Sequence, residues 1–179
     1  LTMAITRYSD RDLKKFKTLI EEKIEKAQKD LSLIKSAYMN DGNGSSSGHV
    51  RIYAWNGSAW LQQGQDIDGE ANYDQSGQSI SMNDAGNLVA IGAVNNIPGG
   101  HVRVYAWDGS AWLQQGQDIN GEASNDFFGN AVSLNNSGNR LAVGGYNNDG
   151  NGTNAAHLRI YFCNAYTWIQ MAQDIDGEP

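Results

Sequence analysis

After Lys35 this 179-residue chain has no lysine, and before Gly42 it has no glycine. Tryptophan is missing from the first 40 residues as well. A single cysteine, Cys163, excludes an internal disulfide framework and any multi-cysteine zinc site. No run approaches the roughly 18 apolar residues that a membrane helix needs, so no membrane span is expected. No signal peptide is visible: Thr2 to Ile5 is a short apolar stretch, and charged residues follow at once. A formal net charge of −7 and a pI near 4.8 exclude nucleic-acid binding through bulk positive charge. Whole-chain disorder is excluded by a hydrophobic content of 40%, enough to bury a core.

What is present divides near residue 40. Residues 1–40 carry nine cations against six acids, whereas residues 41–179 carry four arginines against fourteen acids. So sharp a shift marks a domain boundary. Residues 1–40 read as one long helix over about 9–38. Ser9 and Asp12 fit a capping box, in which a hydroxyl and a carboxylate satisfy the first backbone donors. Leu13, Ile20, Ala27 and Ile34 recur every seven residues, and Ile24, Leu31 and Tyr38 follow the same period. A heptad seam of this kind needs a partner: a second copy, a missing helix or the rest of the chain.

Residues 41–179 are a tandem repeat, and repeats decide a fold before other signals do. Residues 49–77 and 101–129 are identical at 22 of 29 positions. The units are 49–100, 101–156 and a partial third, 157–179, in which Cys163 replaces a tryptophan and Asn164-Ala165 replaces the Asn-Gly or Asp-Gly turn. Each full unit offers four strand candidates, in the first Val50 to Trp55, Trp60 to Gln65, Gln78 to Met82 and Leu88 to Ala93. Asn56-Gly57 predicts a two-residue hairpin turn, since it tolerates two positive φ angles. Four strands in about 50 residues suit a propeller blade. The expected fold class is mainly β: an incomplete β-propeller-like array of about two and a half four-stranded blades with about ten strands, preceded by one long α-helix. Its open strand edges, or the helix, predict self-association.

The repeat resembles the FG-GAP or integrin-α-type propeller repeat over about residues 37–179. Phe128-Gly129 stands at that family's Phe-Gly position, and Val143-Gly144-Gly145-Tyr146 at its Gly-Ala-Pro position. The first unit departs, with Ser76-Gly77 and Ile91-Gly92-Ala93-Val94. The resemblance implies a bacterial cell-surface or secreted parent protein, and the family's calcium loop between the first two strands has no counterpart here. Residues 6–44 resemble a different family. Arg7-Tyr8-Ser9-Asp10, Ile20-Glu21-Glu22-Lys23-Ile24 and Ser36-Ala37-Tyr38-Met39-Asn40-Asp41-Gly42 look like the N-terminal helix of DksA/TraR-type regulators. That resemblance implies RNA polymerase as a partner, but the second coiled-coil helix and the four zinc cysteines are absent. Residues 37–44 also align without a gap with residues 145–152, so a fragment or a chimera joined there is expected.

Candidate sites fall into three groups. Asp41, Asn43 and Ser45, and again Asp149, Asn151 and Thr153, place oxygen side chains at alternate positions, the start of a calcium loop. The loop's later glycine and glutamate are missing, so a polar turn is the plainer reading, with calcium the candidate ion and no other cofactor expected. Asp66, Asp68 and Glu70 recur as Asp118, Asn120 and Glu122, then Asp174, Asp176 and Glu178. A catalytic pair is rarely needed in every repeat, so these read as turns, and His49, His101 and His157, at one repeat position, read as satisfied structural histidines. Trp55, Trp60, Trp107, Trp112 and Trp168 are the candidate ligand-binding residues, because indole faces stack on sugars or anchor proteins. Packing between blades is their competing role. The expected function is a non-catalytic binding or adhesion module with a protein or glycan ligand. The alternatives are a truncated DksA/TraR-type regulator and a metal-dependent enzyme fragment.

Overall fold

The computed structural model describes residues 47–149, 152 and 155–177, together with Lys14, Lys15, Lys17, Thr18 and Glu21. Fourteen strands lie among the described residues, more than the ten expected, because short return strands add to each unit. The first unit contributes β1 (His49–Val50), β2 (Tyr53–Trp55), β3 (Trp60–Gln62) and β4 (Ile67–Asp68), paired as β1 with β4 and β2 with β3. Next come β5 (Ser76–Met82), β6 (Leu88–Ala93), β7 (His101–Trp107) and β8 (Trp112–Gln114), which form one antiparallel sheet in that order. The two-residue strand β9 (Ile119–Asn120) pairs with the start of β7. The same plan returns in β10 (Ala131–Leu134), β11 (Arg140–Gly145), β12 (His157–Asn164), β13 (Thr167–Gln170) and β14 (Ile175–Asp176). The chain is therefore mainly β, with several antiparallel sheets, none of them closed.

Each large sheet straddles two sequence repeats. β5 and β6 close the first repeat, while β7, β8 and β9 open the second, and six residue pairs from Leu88↔Ala106 to Ala93↔His101 join them. Consecutive repeats are thus hydrogen-bonded into one another.

Period-two alternation explains how the sheets stack. On β6, Val89 and Ile91 pack with Val50, Ile52, Ile67, Tyr105 and Trp112. The intervening Ala90 faces the other way, into a cluster with Val102, Val104, Phe128, Leu141, Val143 and Trp168. The middle sheet is therefore buried on both faces. Each fully buried Val or Ile stabilises the stack by about 1.5–3 kcal/mol relative to exposure. Glycine sets the spacing at one point: a Cβ on Gly92 would collide with the Gly129 carbonyl oxygen of the next sheet.

The hairpin turns differ from the two-residue expectation. Trp55 pairs with Trp60, so four residues form the loop. Asn56 N–H donates to the Ala59 carbonyl at 3.1 Å. The Asn56 carboxamide oxygen accepts from the N–H groups of Ser58 and Ala59 at 2.9 and 2.8 Å. Asp108 does the same in the next unit, at 2.7 and 2.8 Å. The Asn or Asp is there for its side-chain acceptor, and only the glycine (φ +100° at Gly57) takes the left-handed conformation.

The N-terminal expectation is corrected. Of the helix expected over 9–38, only Lys14, Lys15, Lys17, Thr18 and Glu21 are described, and these five have helical backbone. Among the described residues there is no long helix and no second helix to cover a heptad seam. An unpaired helix gains little from propensity alone, because helix stability in proteins comes mainly from tertiary packing. The identification with a DksA/TraR-type coiled coil is therefore withdrawn. No helix among the described residues is long and apolar enough to cross a membrane.

Candidate functional site

The tryptophan hairpins are where the repeat spends its large side chains. Trp55 and Trp60 sit opposite each other across the β2–β3 hairpin, with ring centroids 5.3 Å apart and planes at 52°. Trp107 and Trp112 repeat the arrangement at 5.4 Å and 47°. In the third unit Cys163 faces Trp168. Its thiol accepts a hydrogen bond from Gln115 Nε2 at 3.3 Å, and burial pushes its pKa up.

Identical spacing does not give identical environments. Trp112 is 2% exposed and Trp168 is 3% exposed, whereas Trp55 and Trp60 are 41% and 39% exposed. The difference is the neighbouring unit. Trp112 Nε1–H donates to the Gln63 carbonyl at 2.8 Å. Gln65 clamps the Trp112 backbone: its Nε2 donates to the Trp112 carbonyl at 2.8 Å, and its Oε1 accepts from Trp112 N–H at 3.2 Å. The next junction repeats this contact, with Trp168 Nε1–H on the Gln115 carbonyl at 3.2 Å and Gln117 Nε2 on the Trp168 carbonyl at 2.9 Å. Gly64 and Gly116 leave room for the indoles, since a Cβ at either would lie 3.1 Å from Cδ1 of the docked tryptophan. Trp60 has no such unit against it among the described residues. This latch was legible only as an unexplained recurrence of Gln-Gln-Gly-Gln at 62–65 and 114–117.

The carboxylate turns are ion-paired rather than open. Asp66 accepts from Arg51 Nε and Nη2 at 2.8 and 2.7 Å and from Gln62 Nε2 at 2.7 Å. The Arg51 hydrogen bond holds the Asp66 carboxyl below the usual carboxylate range. Asp174 accepts from Arg159 Nε at 2.8 Å and Gln170 Nε2 at 2.6 Å. The middle unit differs. Asp118 accepts from Gln114 Nε2 at 2.7 Å, while Arg103 turns to the Asp68 carbonyl at 3.1 Å and to Glu70 at 3.3 Å.

His101 and His157 are buried and His49 is half-buried, and all three carry ring nitrogens that are not satisfied, contrary to expectation. Nε2 of His49, Nδ1 of His101 and both ring nitrogens of His157 are buried without a hydrogen-bond partner. Burial, and then the neighbouring arginine, lowers the pKa of His101 and of His157. Among the described residues one group brings metal-ligating atoms together: Glu70, His101 and Asp118, within 4.8 Å of one another. Of the six residues read as the start of a calcium loop, Asp149 is described and lies outside that group. Asp41, Asn43, Ser45, Asn151 and Thr153 lie outside the described residues.

No family model matches the chain, and no curated protein matches it. The resemblances to FG-GAP repeats and to DksA/TraR-type regulators are corrected accordingly. The short motifs behind the first have a local packing cause. Phe128 is fully buried in the core between two sheets, and Gly129 has φ +88° directly behind it. Gly92 and Gly145 lie where a Cβ would meet backbone of the adjoining segment. Tight stacking of sheets selects such residues at these positions.

Proposed function

We propose that the chain is a non-catalytic binding module, built as an incomplete propeller-like array of four-stranded blades. Its ligand, a protein or a glycan, stacks on the indoles of Trp55 and Trp60. The observation that carries this reading is the contrast between equivalent tryptophans. Trp112 and Trp168 are buried under a preceding unit, while the Trp55–Trp60 pair presents two tilted rings to solvent at 41% and 39% exposure. Exposed paired aromatics cost little conformational entropy to immobilise and bury large area on contact, which is why they serve as binding anchors. Repetition of every acidic turn in each unit also speaks for a structural scaffold rather than one catalytic centre.

The test is the double variant Trp55→Ala/Trp60→Ala on glycan and protein arrays beside the parent chain. The variant keeps its β-sheet circular dichroism and loses at least tenfold in binding signal to every ligand the parent captures. Retained binding would remove these residues from the ligand surface.

A further inference from the structure

We propose that Glu70, His101 and Asp118 form a site for a divalent transition-metal ion that clamps the first unit to the second. Two independent observations converge. The three side chains bring one donor atom each within 4.8 Å of the others. His101 is 1% exposed, and its Nδ1 is buried without a hydrogen-bond partner, 3.9 Å from Glu70 Oε2. A buried imidazole nitrogen with nothing to bond costs free energy, and a metal ion satisfies it.

The donor set selects the class of ion. One imidazole nitrogen with two carboxylates suits zinc and its first-row neighbours, whereas calcium takes six to eight oxygens. Zinc holds nitrogen and carboxylate oxygen at about 2.0–2.2 Å, so tetrahedral ligand atoms lie roughly 3.3 Å apart. Closing to that distance requires movement of Glu70, which is 46% exposed and able to move, while His101 stays fixed in the sheet. Arg103 approaches Glu70 Oε1 at 3.3 Å and leaves the nearer oxygen, Oε2, on the histidine side.

The third unit provides an internal comparison. Its equivalent residues are Glu122, His157 and Asp174. There Arg159 pairs with both carboxylates, with Asp174 at 2.8 Å and also with Glu122. A guanidinium already occupies the place an ion would take. In the second unit Arg103 instead hydrogen-bonds the Asp68 carbonyl, which leaves Asp118 facing the histidine. One ion per chain is therefore expected at this position. Glu70 follows β4 of the first repeat, while His101 and Asp118 belong to the second repeat. Binding would thus tie two stacked units together and raise the melting temperature by mass action.

The full chain is stripped with a chelator and titrated with zinc by calorimetry and with cobalt(II) by visible absorption. One zinc per chain is expected, with tetrahedral cobalt bands and a higher melting temperature. Glu70→Gln and Asp118→Asn each weaken zinc affinity at least tenfold and abolish the cobalt bands, while Asp174→Asn leaves both unchanged. Both test positions are partly or largely exposed, so the variants fold, which circular dichroism checks. Absence of zinc binding, or equal binding by Glu70→Gln, overturns the site. Neither result bears on the Trp55–Trp60 ligand surface, whose readout is the array.

Discussion

At the residue scale, the same letter in the same repeat position does opposite work depending on what lies next to it. The sequence spacing put all five tryptophans in one class, and nothing in a local window separates Trp60 from Trp112. The separation comes from a long-range event, the seating of one unit's Gln63–Gln65 segment over the next unit's hairpin. In the Trp107–Trp112 pair it is the second tryptophan that is buried: Trp112 is 2% exposed, whereas Trp107 is only half-buried. Trp112→Ala should therefore cost about 3–5 kcal/mol, the range for truncating a buried aromatic. Trp60→Ala, at 39% exposure, should cost under about 1 kcal/mol. Urea denaturation of the two variants checks the ranking. Equal losses would show that exposure has no bearing on these sites. The buried histidines were equally hard to read. A lone histidine opening a strand gives no sign that its neighbours will turn their polar groups elsewhere.

At the scale of elements, the strands were legible because alternation and glycine-bearing turns mark them directly. β6 and β7 fall close to where Leu88–Ala93 and the counterpart of Val50–Trp55 were expected. The turn chemistry was misread because Asn-Gly serves two purposes, and here the side-chain acceptor of Asn56 matters more than a second positive φ. The junction between units was invisible as a contact, although its residues recur. At Gly116, with φ +83°, a Cβ would lie 2.5 Å from the Tyr166 carbonyl oxygen of the next unit. Gly116→Ala strains the backbone and pushes the third unit's hairpin off its seat at the same time. A loss of more than about 1 kcal/mol is expected, since alanine at positive φ is destabilising. Hydrogen exchange should show weakened protection in β12 and β13 while β5 and β6 keep theirs. Uniform loss across both sheets, or none, would mean that the units do not meet at this glycine.

At the scale of the whole molecule, the stack buries its middle sheet on both faces and leaves its last sheet covered on one. The third unit is where this is measurable. Ile67 and Ile119 are each 4% exposed because the following sheet covers them, but their counterpart Ile175 is 55% exposed. Leu158 and Ile160, the counterparts of fully buried Val102 and Val104, are only half-buried. The third unit also carries Ala172 where the earlier units have Gly64 and Gly116, the residues that make room for a docked indole. On this face Ile175 pairs with half-buried Leu158 across β12 and β14, so the described third unit presents apolar side chains to solvent. Contiguous apolar surface of this kind drives self-association in water. Sedimentation velocity over a hundredfold concentration range should show the sedimentation coefficient rising with concentration. Ile175→Lys places a charge in the middle of the face at a position too exposed to affect folding. It should return the chain to a single concentration-independent species with an unchanged melting temperature. Association that persists undiminished in Ile175→Lys would move the contact to the strand edges at β10 or β13. A parent chain that is monomeric throughout would mean that the half-buried Leu158 and Ile160 are covered well enough by their own sheet.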